Sequence, residues 1–374
     1  MRAPSVARPT PEHRLDASRP SEPAPPPDPP PIPVAAPQPP KPEPVDPAAP
    51  LSEAAPRGRT RPRFEELAPG LPTWPGWIAI PIGFAAAIAG DAVAAYLLGQ
   101  HLTGDSPAIG LWVGFIGALL LMGGLSWLAI ASIARRRTLP PNRYRGPSIL
   151  VIFAMIELGL PFLLVPPLLA FTGGDFSALT SPGALTVQLL LTPLSFFILL
   201  VLFVALPRAL EGVRLWQGVA SLRQVLIGLV AGVFIWSAAQ VLAAILVAIL
   251  RMLGVNPEGE QEVTSIAQQL PVPIAVLTIA ILAPIAEELF FRGFVFNAWE
   301  REYGTRNALI GAALLFGLAH VPGGTPLAVV IVLLLGLVLT AVYAWTRNLA
   351  TTIGIHAAFN LASVLALFFV SGRG

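Results

Sequence analysis

Nine apolar stretches follow one another from Trp74 to the end of the chain. About 20 consecutive apolar residues are enough to cross a bilayer as a helix, and most of the stretches reach that length, although the sixth is long and the seventh is short. They cover residues 76–98, 108–134, 148–171, 184–206, 223–250, 273–299, 307–321, 326–345 and 350–370. Within lipid, a helix satisfies its own backbone hydrogen bonds. The sequence therefore predicts an all-α, polytopic membrane helix bundle of about nine spans.

The composition agrees with a membrane protein and excludes several kinds of chemistry. Of the 374 residues, 55% are hydrophobic and 12% are charged, whereas soluble proteins carry about 25% charged residues. The chain has no cysteine, which rules out disulfides, thiol nucleophiles and thiolate metal sites. Only Lys41 among the 23 basic residues is a lysine. We do not interpret this arginine bias as a nucleic-acid surface, and we expect no nucleic-acid partner.

The first 72 residues differ in composition from the rest of the chain. Twenty-two of the 41 prolines lie in the first 70 positions, and proline runs favour extended polyproline II structure that builds no core. We expect residues 1–72 to be a disordered, proline-rich cytoplasmic tail. Its PxxP patterns also leave open a role as the ligand of a proline-binding module.

The arginines between the apolar stretches predict the orientation of the bundle. Fifteen of them fall on one side, and only Arg251 and Arg373 fall on the other. Loops rich in arginine stay in the cytoplasm, so we expect the N-terminus inside and the C-terminus outside. We divide the membrane part into a five-span region at 73–270 and a second region at 271–372. The fifteen are Arg57, Arg59, Arg61, Arg63, Arg135, Arg136, Arg137, Arg143, Arg145, Arg208, Arg214, Arg223, Arg301, Arg306 and Arg347.

Three charged residues interrupt the sixth stretch, which is otherwise apolar from Val272 to Trp299. Each charge near the centre of a bilayer costs on the order of 2.5–3.5 kcal/mol. Arg292 follows Glu288 by four residues, so the two share a helix face and we expect them to pair. Glu287 remains unpaired, which makes it a candidate functional residue.

Two later stretches carry the intramembrane histidines. His320 lies four residues after Phe316, and His356 lies four residues before Asn360. Residues at this spacing lie on one helix face. We expect these side chains to meet Glu287 in a common site.

Two mechanisms fit such a site, and the sequence does not decide between them. Glu287 in apolar surroundings suits a general base that activates water. In one version, Glu287, His320 and His356 bind a Zn²⁺ that polarises this water, with a fourth position open. In the metal-free version, the histidines and Asn360 hold the water and donate to the developing oxyanion.

Two further acids, Asp91 and Glu157, fall in the first and third stretches. Neither has a basic residue or a histidine at helical spacing. We expect each to lie near the membrane interface or to hydrogen-bond to another helix, although a proton path is the alternative.

The three motifs EExxxR at 287–292, FxxxH at 316–320 and HxxxN at 356–360, in this order, resemble the CAAX-protease and bacteriocin-processing family of Rce1-like and Abi-like intramembrane proteases. The resemblance covers roughly residues 271–366. It implies a helical membrane endopeptidase whose cavity opens toward the cytoplasm, in which Glu287 activates water. Glu288 and Arg292 would then shape and charge-balance the site, and His320, His356 and Asn360 would complete it.

The sequence therefore predicts an intramembrane endopeptidase that cleaves a membrane-associated protein or peptide within the lipid bilayer. We expect it in a bacterial inner membrane, where prenylated CAAX proteins are not the expected substrates. Two alternatives stay open: a proton-coupled transporter that uses Asp91, Glu157, Glu287 and the histidines, and a non-catalytic scaffold or immunity protein of the same fold.

Overall fold

A computed structural model describes most of the membrane part of the chain. The described residues are 68–99, 105–140, 142–171, 181–210, 219–255, 268–322 and 324–370. The predicted disordered tail, 1–72, lies almost wholly outside these residues, as do Arg57 to Arg63, Arg214 and Arg373. The boundary proposed near residue 270 between two membrane regions stays a prediction.

All secondary structure in the described residues is helical, which confirms the predicted all-α membrane fold. Nine helices are present there, numbered here in chain order. They are α1 (Trp74–Gly99), α2 (Asp105–Arg136), α3 (Ile149–Ala154, Met155–Gly159 and Leu160–Phe171), α4 (Pro182–Leu200 and Val201–Ala205), α5 (Val219–Met252), α6 (Val272–Ala275, Val276–Leu282, Ala283–Glu288, Leu289–Phe296 and Asn297–Tyr303), α7 (Thr305–Ala319), α8 (Pro326–Thr346) and α9 (Leu349–Val370).

Seven of these helices are long and apolar enough to cross a membrane. The exceptions are α3, whose apolar part is Ile149–Val165, and α7 at Thr305–Ala319. Both correspond to predicted spans, so each of the nine apolar stretches forms a helix. The structure supports an integral, multi-pass membrane protein, whereas the count of nine spans and the orientation stay predictions.

Large apolar side chains cover the outside of the bundle. Trp77, Trp112, Phe197 and Phe234 are all more than half exposed. Such side chains on the surface of a soluble monomer would form unusually large apolar patches. Lipid tails are a suitable environment for them, in agreement with the membrane assignment.

Glycines bring two pairs of helices into close contact. In α1 and α2, Gly90 lies so close to Gly114 that an added Cβ would sit 2.1 Å from the Gly114 nitrogen. In α5, an added Cβ at Gly232 would sit 2.4 Å from the carbonyl oxygen of Ile355 in α9. Small residues allow this backbone approach between membrane helices. The α5–α9 contact fixes the position of the helix that carries His356 and Asn360.

Helix α6 forms the centre of the core. Phe290, Phe291, Phe294 and Phe296 are each at most 1% exposed, and they pack against α2, α3, α4, α7 and α8 residues in the largest buried cluster. The end of α6 is also held by the turn between α8 and α9, because Arg347, which follows α8 directly, donates to both carboxylate oxygens of Glu300. These hydrogen bonds raise the pKa of Arg347 above its usual range. Glu287 and Glu288 therefore lie on a helix that is packed in the core and held at its end.

Candidate active site

Glu287 and Glu288 of α6 lie in a short α-helical segment between two wider, π-helical ones. Ala283–Glu288 is α-helical, and the flanking segments Val276–Leu282 and Leu289–Phe296 are π-helical. Segments of π-helix are rare and often occur at functional sites. Each one turns the side chains that follow it to a new direction, so the facing of the acids depends on these segments as well as on spacing.

Glu288 and Arg292 form a buried ion pair, as their spacing predicts. Arg292 Nη1 lies 2.7 Å from Glu288 Oε1, and neither side chain is exposed. The second nitrogen, Nη2, donates to the carbonyl of Gly336 in α8 at 3.0 Å. The guanidinium carbon also lies 4.6 Å from the ring centroid of Phe316. Removing one partner of such a pair leaves an uncompensated buried charge, at a cost of about 3–5 kcal/mol.

His356 joins this pair to the second acid. Its Nδ1 lies 3.0 Å from Glu288 Oε1, and its Nε2 lies 3.8 Å from Glu287 Oε2. An ionised carboxylate only accepts hydrogen bonds, so Nδ1 carries a proton that it donates to Glu288. This contact fixes the ring, and Nε2 is the nitrogen that faces Glu287.

Glu287 is the acid that remains available for chemistry. Its side chain is 21% exposed, and it lines a cavity of about 250 Å³. Its Oε2 atom is buried and accepts no hydrogen bond from the described residues. A buried carboxylate oxygen without a donor is costly, and a water or a substrate group in the cavity would relieve that cost.

His320 reaches the same cavity from the end of α7. Its Nδ1 lies 2.8 Å from the carbonyl oxygen of Phe316, so Nδ1 is the donor and Nε2 is left for the cavity. The ring centroid of Phe316 is 4.8 Å from that of His320 and 5.7 Å from that of His356. Both histidines therefore contact the same aromatic ring, that of Phe316.

Asn360 does not line the cavity. Its side-chain amide donates to the carbonyl of Ile279 in α6 at 2.9 Å. In the π-helical register, the Ala283 N–H bonds to Thr278, and the next donor, residue 284, would bond to Ile279. That residue is Pro284, which has no N–H. Asn360 thus supplies the missing donor and holds α9 against the segment that carries Glu287.

The cavity also contains polar residues that the motifs did not indicate. Gln188, Thr192 and Ser195 of α4 and Glu157 of α3 line it together with Glu287 and His320. Glu157 lies at this cavity and makes no hydrogen bond with the described residues, so the expected bond to another helix is not found there; its placement near the membrane interface stays a prediction. The periodic spacing 188, 192, 195 on an apolar helix was the signal available in the sequence.

Two other polar residues also differ from expectation. Asp91 makes no hydrogen bond with the described residues, and its Oδ1 is buried against Gly114 of α2. No motif in the sequence indicates a role for Asn297. Its amide nitrogen lies 2.7 Å from the Arg292 carbonyl oxygen and 2.8 Å from Tyr343 Oη, so it fixes the end of the π-helical segment that carries Arg292.

The proposed zinc ligands do not form a ligand set as they are placed. Within the described part of the chain, no group of three or more His, Asp or Glu side chains is arranged to hold one metal ion. Nδ1 of each histidine is hydrogen-bonded to a protein oxygen, that of Phe316 or that of Glu288. Glu287 and His320 line the same cavity. The residues present do not fit a three-ligand centre, and zinc binding stays a prediction for metal analysis.

Comparison with known proteins gives one match. Residues 269–362 match the family model described as Type II CAAX prenyl endopeptidase Rce1-like. No curated protein matches the chain, and no solved structure does. The matched segment includes all three motifs, Glu287 to Asn360, and supports a general role as a membrane protease. Residues 269–362 therefore form a domain of the Rce1-like family, as the order of the three motifs predicted.

Proposed function

We propose that this protein is an intramembrane endopeptidase in which Glu287 activates the attacking water. The observation that carries the proposal is the buried Oε2 of Glu287, which has no donor among the described residues and lies 3.8 Å from His356 Nε2. Both atoms accept hydrogen bonds when His356 is neutral. One water at about 2.8 Å from each would donate one proton to each of them.

The proposed reaction uses this water as the nucleophile. Its oxygen attacks the carbonyl carbon of the scissile peptide bond while Glu287 takes one of its protons. The carbon–nitrogen bond then breaks, and Glu287 returns the proton to the leaving amine. His356 holds the water, and Glu288 and Arg292 hold His356 in the orientation that this step needs.

His320 has a different role in this proposal. Its ring contacts Phe316, as the ring of His356 also does, and it lines the cavity with Glu287. In its protonated form, Nε2 would donate to the oxyanion that develops on the carbonyl oxygen. Asn360 acts as a positioning residue, because its amide is taken by the Ile279 carbonyl.

The geometry of the site also bears on the two alternative functions, a transporter and a non-catalytic scaffold. A proton relay in a transporter would use Asp91, yet that residue lies in α1 with its Oδ1 against Gly114 of α2 and does not line the cavity. A non-catalytic scaffold would not require an activated acid beside an oriented histidine. The cavity, near the lower end of the usual size for ligand sites, suits a short extended segment of a substrate chain.

We further propose that the protein lies in a bacterial inner membrane, with the site opening to the cytoplasm. The arginine distribution supports this orientation. Because the chain lacks cysteine, single cysteines can report it. An impermeant maleimide should label Leu253→Cys in intact cells and Asn307→Cys only after permeabilisation. Labelling of both, or the reverse order, would contradict the orientation.

The cleavage activity is tested by comparing protein N-termini in membranes. Cells that express the wild-type chain should contain new internal N-termini in membrane proteins, and cells that express Glu287→Gln at the same level should lack them. Asp91→Asn serves as the matched control, because it also neutralises an intramembrane acid but lies outside the cavity. Equal sets of N-termini in wild-type and Glu287→Gln cells would overturn the proposal.

A further inference from the structure

One side of the cavity that Glu287 lines is built by α3 and α4, which precede the matched residues 269–362. Gln188, Thr192 and Ser195 are spaced at four and three residues, so they share one face of α4, and Glu157 of α3 lies beside them at the cavity. We call these four residues the polar wall. A membrane helix that is apolar elsewhere has no structural need for this face, because none of the four joins a hydrogen bond to another helix among the described residues.

The polar wall presents mainly hydrogen-bond acceptors. The Thr192 hydroxyl donates to the carbonyl of Gln188 at 2.9 Å, and the Ser195 hydroxyl donates to that of Leu191 at 2.8 Å. Each hydroxyl has a single proton, so only lone pairs remain for the cavity. The carboxylate of Glu157 is also an acceptor. Gln188 is the one member of the wall that has N–H groups to offer.

The charges around the cavity are also one-sided. Glu157 and Glu287 both line it, and His320 is the basic side chain among its lining residues. Arg292 does not line the cavity, since it is fully buried and paired with Glu288. Glu157 has no ion pair with the described residues. Two carboxylates in one cavity of an apolar protein repel each other, and a cation between them would remove that repulsion.

We propose that the polar wall is a specificity subsite for a basic side chain, lysine or arginine, adjacent to the scissile bond of the substrate. This inference rests on the proposed function, because it names the substrate of the same site. An ammonium or guanidinium group is a donor with no acceptor, which matches a wall of lone pairs. Its charge would be balanced by Glu157, and Glu287 would stay free to activate water.

The size of the cavity limits the distance between the scissile bond and the basic residue of the substrate. Glu157 and Glu287 line a single space of about 250 Å³. A side chain held by Glu157 therefore belongs to a residue within about two positions of the bond attacked at Glu287, given about 3.3–3.6 Å of extended chain per residue. A peptide without a basic residue there would leave the Glu157 carboxylate without a partner.

The test uses purified full-length protein in detergent with a mixture of synthetic apolar peptides that carry varied residues at six central positions. Mass spectrometry identifies every bond cleaved. Wild-type protein should cleave peptides with Lys or Arg within two residues of the bond at least tenfold faster than matched Gln peptides. Glu157→Gln should lose this preference, so that its rates for the basic and the Gln peptides differ by less than about threefold.

Two more variants make the outcome decisive. Glu157→Lys should prefer Asp or Glu at the position where wild type prefers Lys or Arg, and Asp91→Asn should keep the wild-type preference. An unchanged basic preference in Glu157→Gln would overturn the inference, and so would loss of all cleavage in that variant, since it would show a structural or catalytic role. Retained cleavage in Glu287→Gln would instead overturn the proposed function, so the two failures are distinguishable.

Discussion

His356 Nε2 lies 3.8 Å from Glu287 Oε2, while the other nitrogen of the same ring is hydrogen-bonded to Glu288. The two neighbouring acids thus contact one imidazole from different sides and have different roles. Glu288 is fully buried and neutralised by Arg292. The Glu287 side chain lines the cavity, and its buried Oε2 has no hydrogen-bond donor among the described residues. The different roles of Glu287 and Glu288 are the basis of the proposed mechanism.

The buried ion pair should be essential for folding, and its two charges should depend on each other. Arg292→Met should lower the free energy of unfolding by about 3–5 kcal/mol, because Glu288 is left buried without its cation. Adding Glu288→Gln in the same chain should recover part of this loss. Denaturant unfolding in detergent measures both. Additive losses in the double variant would contradict a direct pair.

The amide of Asn360 should matter because Pro284 has no N–H. Asn360→Leu leaves the Ile279 carbonyl without a donor, which should cost about 1–3 kcal/mol of stability. Pro284→Ala restores a backbone N–H at the position that would serve this carbonyl. The Asn360→Leu loss should therefore be smaller in the Pro284→Ala background, as measured by a double-mutant cycle. An equal loss in both backgrounds would show that Asn360 acts elsewhere.

The contact between α5 and α9 should control the position of His356. A Cβ added at Gly354 would sit 2.4 Å from the backbone oxygen of Val225, so Gly354→Ala must push the two helices apart. We expect a loss of about 1–3 kcal/mol from overpacking and reduced cleavage. Gly123→Ala in α2 is the matched control, since nothing lies within 4 Å of its added Cβ. Equal effects of the two variants would contradict this role of Gly354.

Removal of metal should leave cleavage unchanged, because no step of the proposed reaction passes through an ion. Protein dialysed against a strong chelator should retain its initial rate, and elemental analysis should find no stoichiometric zinc. A rate that falls with chelation and returns on addition of Zn²⁺ would support the zinc version predicted from Glu287, His320 and His356. Such a result would require the three side chains to move closer together than they are placed here.

The spacing of residues predicted the contacts that lie within one helix. Glu288 and Arg292 pair because four positions make one turn, and His320 contacts Phe316 for the same reason. The sequence also indicated that Glu287 would be the surplus acid. These are local relationships, and helix geometry determines them without knowledge of the packing.

Contacts between helices could not be predicted in the same way. His356 meets Glu288 across 68 positions, and nothing in the spacing decides which acid it contacts. The π-helical segments of α6 shift the direction of its side chains, and only the length of that apolar run and Pro284 indicated an irregular helix. Asn360 has the spacing of a site residue, but its amide has a structural role. It donates to the Ile279 carbonyl, which Pro284 leaves without a backbone donor.

The polar residues of the cavity show the same limit. Glu157 was interpreted from its own helix, where it has no partner at helical spacing. Its neighbours at the cavity come from α4, α6 and α7, and this adjacency is a property of the tertiary fold. A motif search confined to residues 269–362 would also leave out the whole polar wall.

The central claim, attack by a water that Glu287 activates, is tested most directly by cleavage in H₂¹⁸O with purified wild-type and Glu287→Gln protein. We predict one ¹⁸O atom in the new carboxylate of the N-terminal fragment for wild type. We also predict a rate at least about 10²-fold lower for Glu287→Gln, in line with the loss of a general base. A Glu287→Gln rate within tenfold of wild type, with the same ¹⁸O content, would contradict the account.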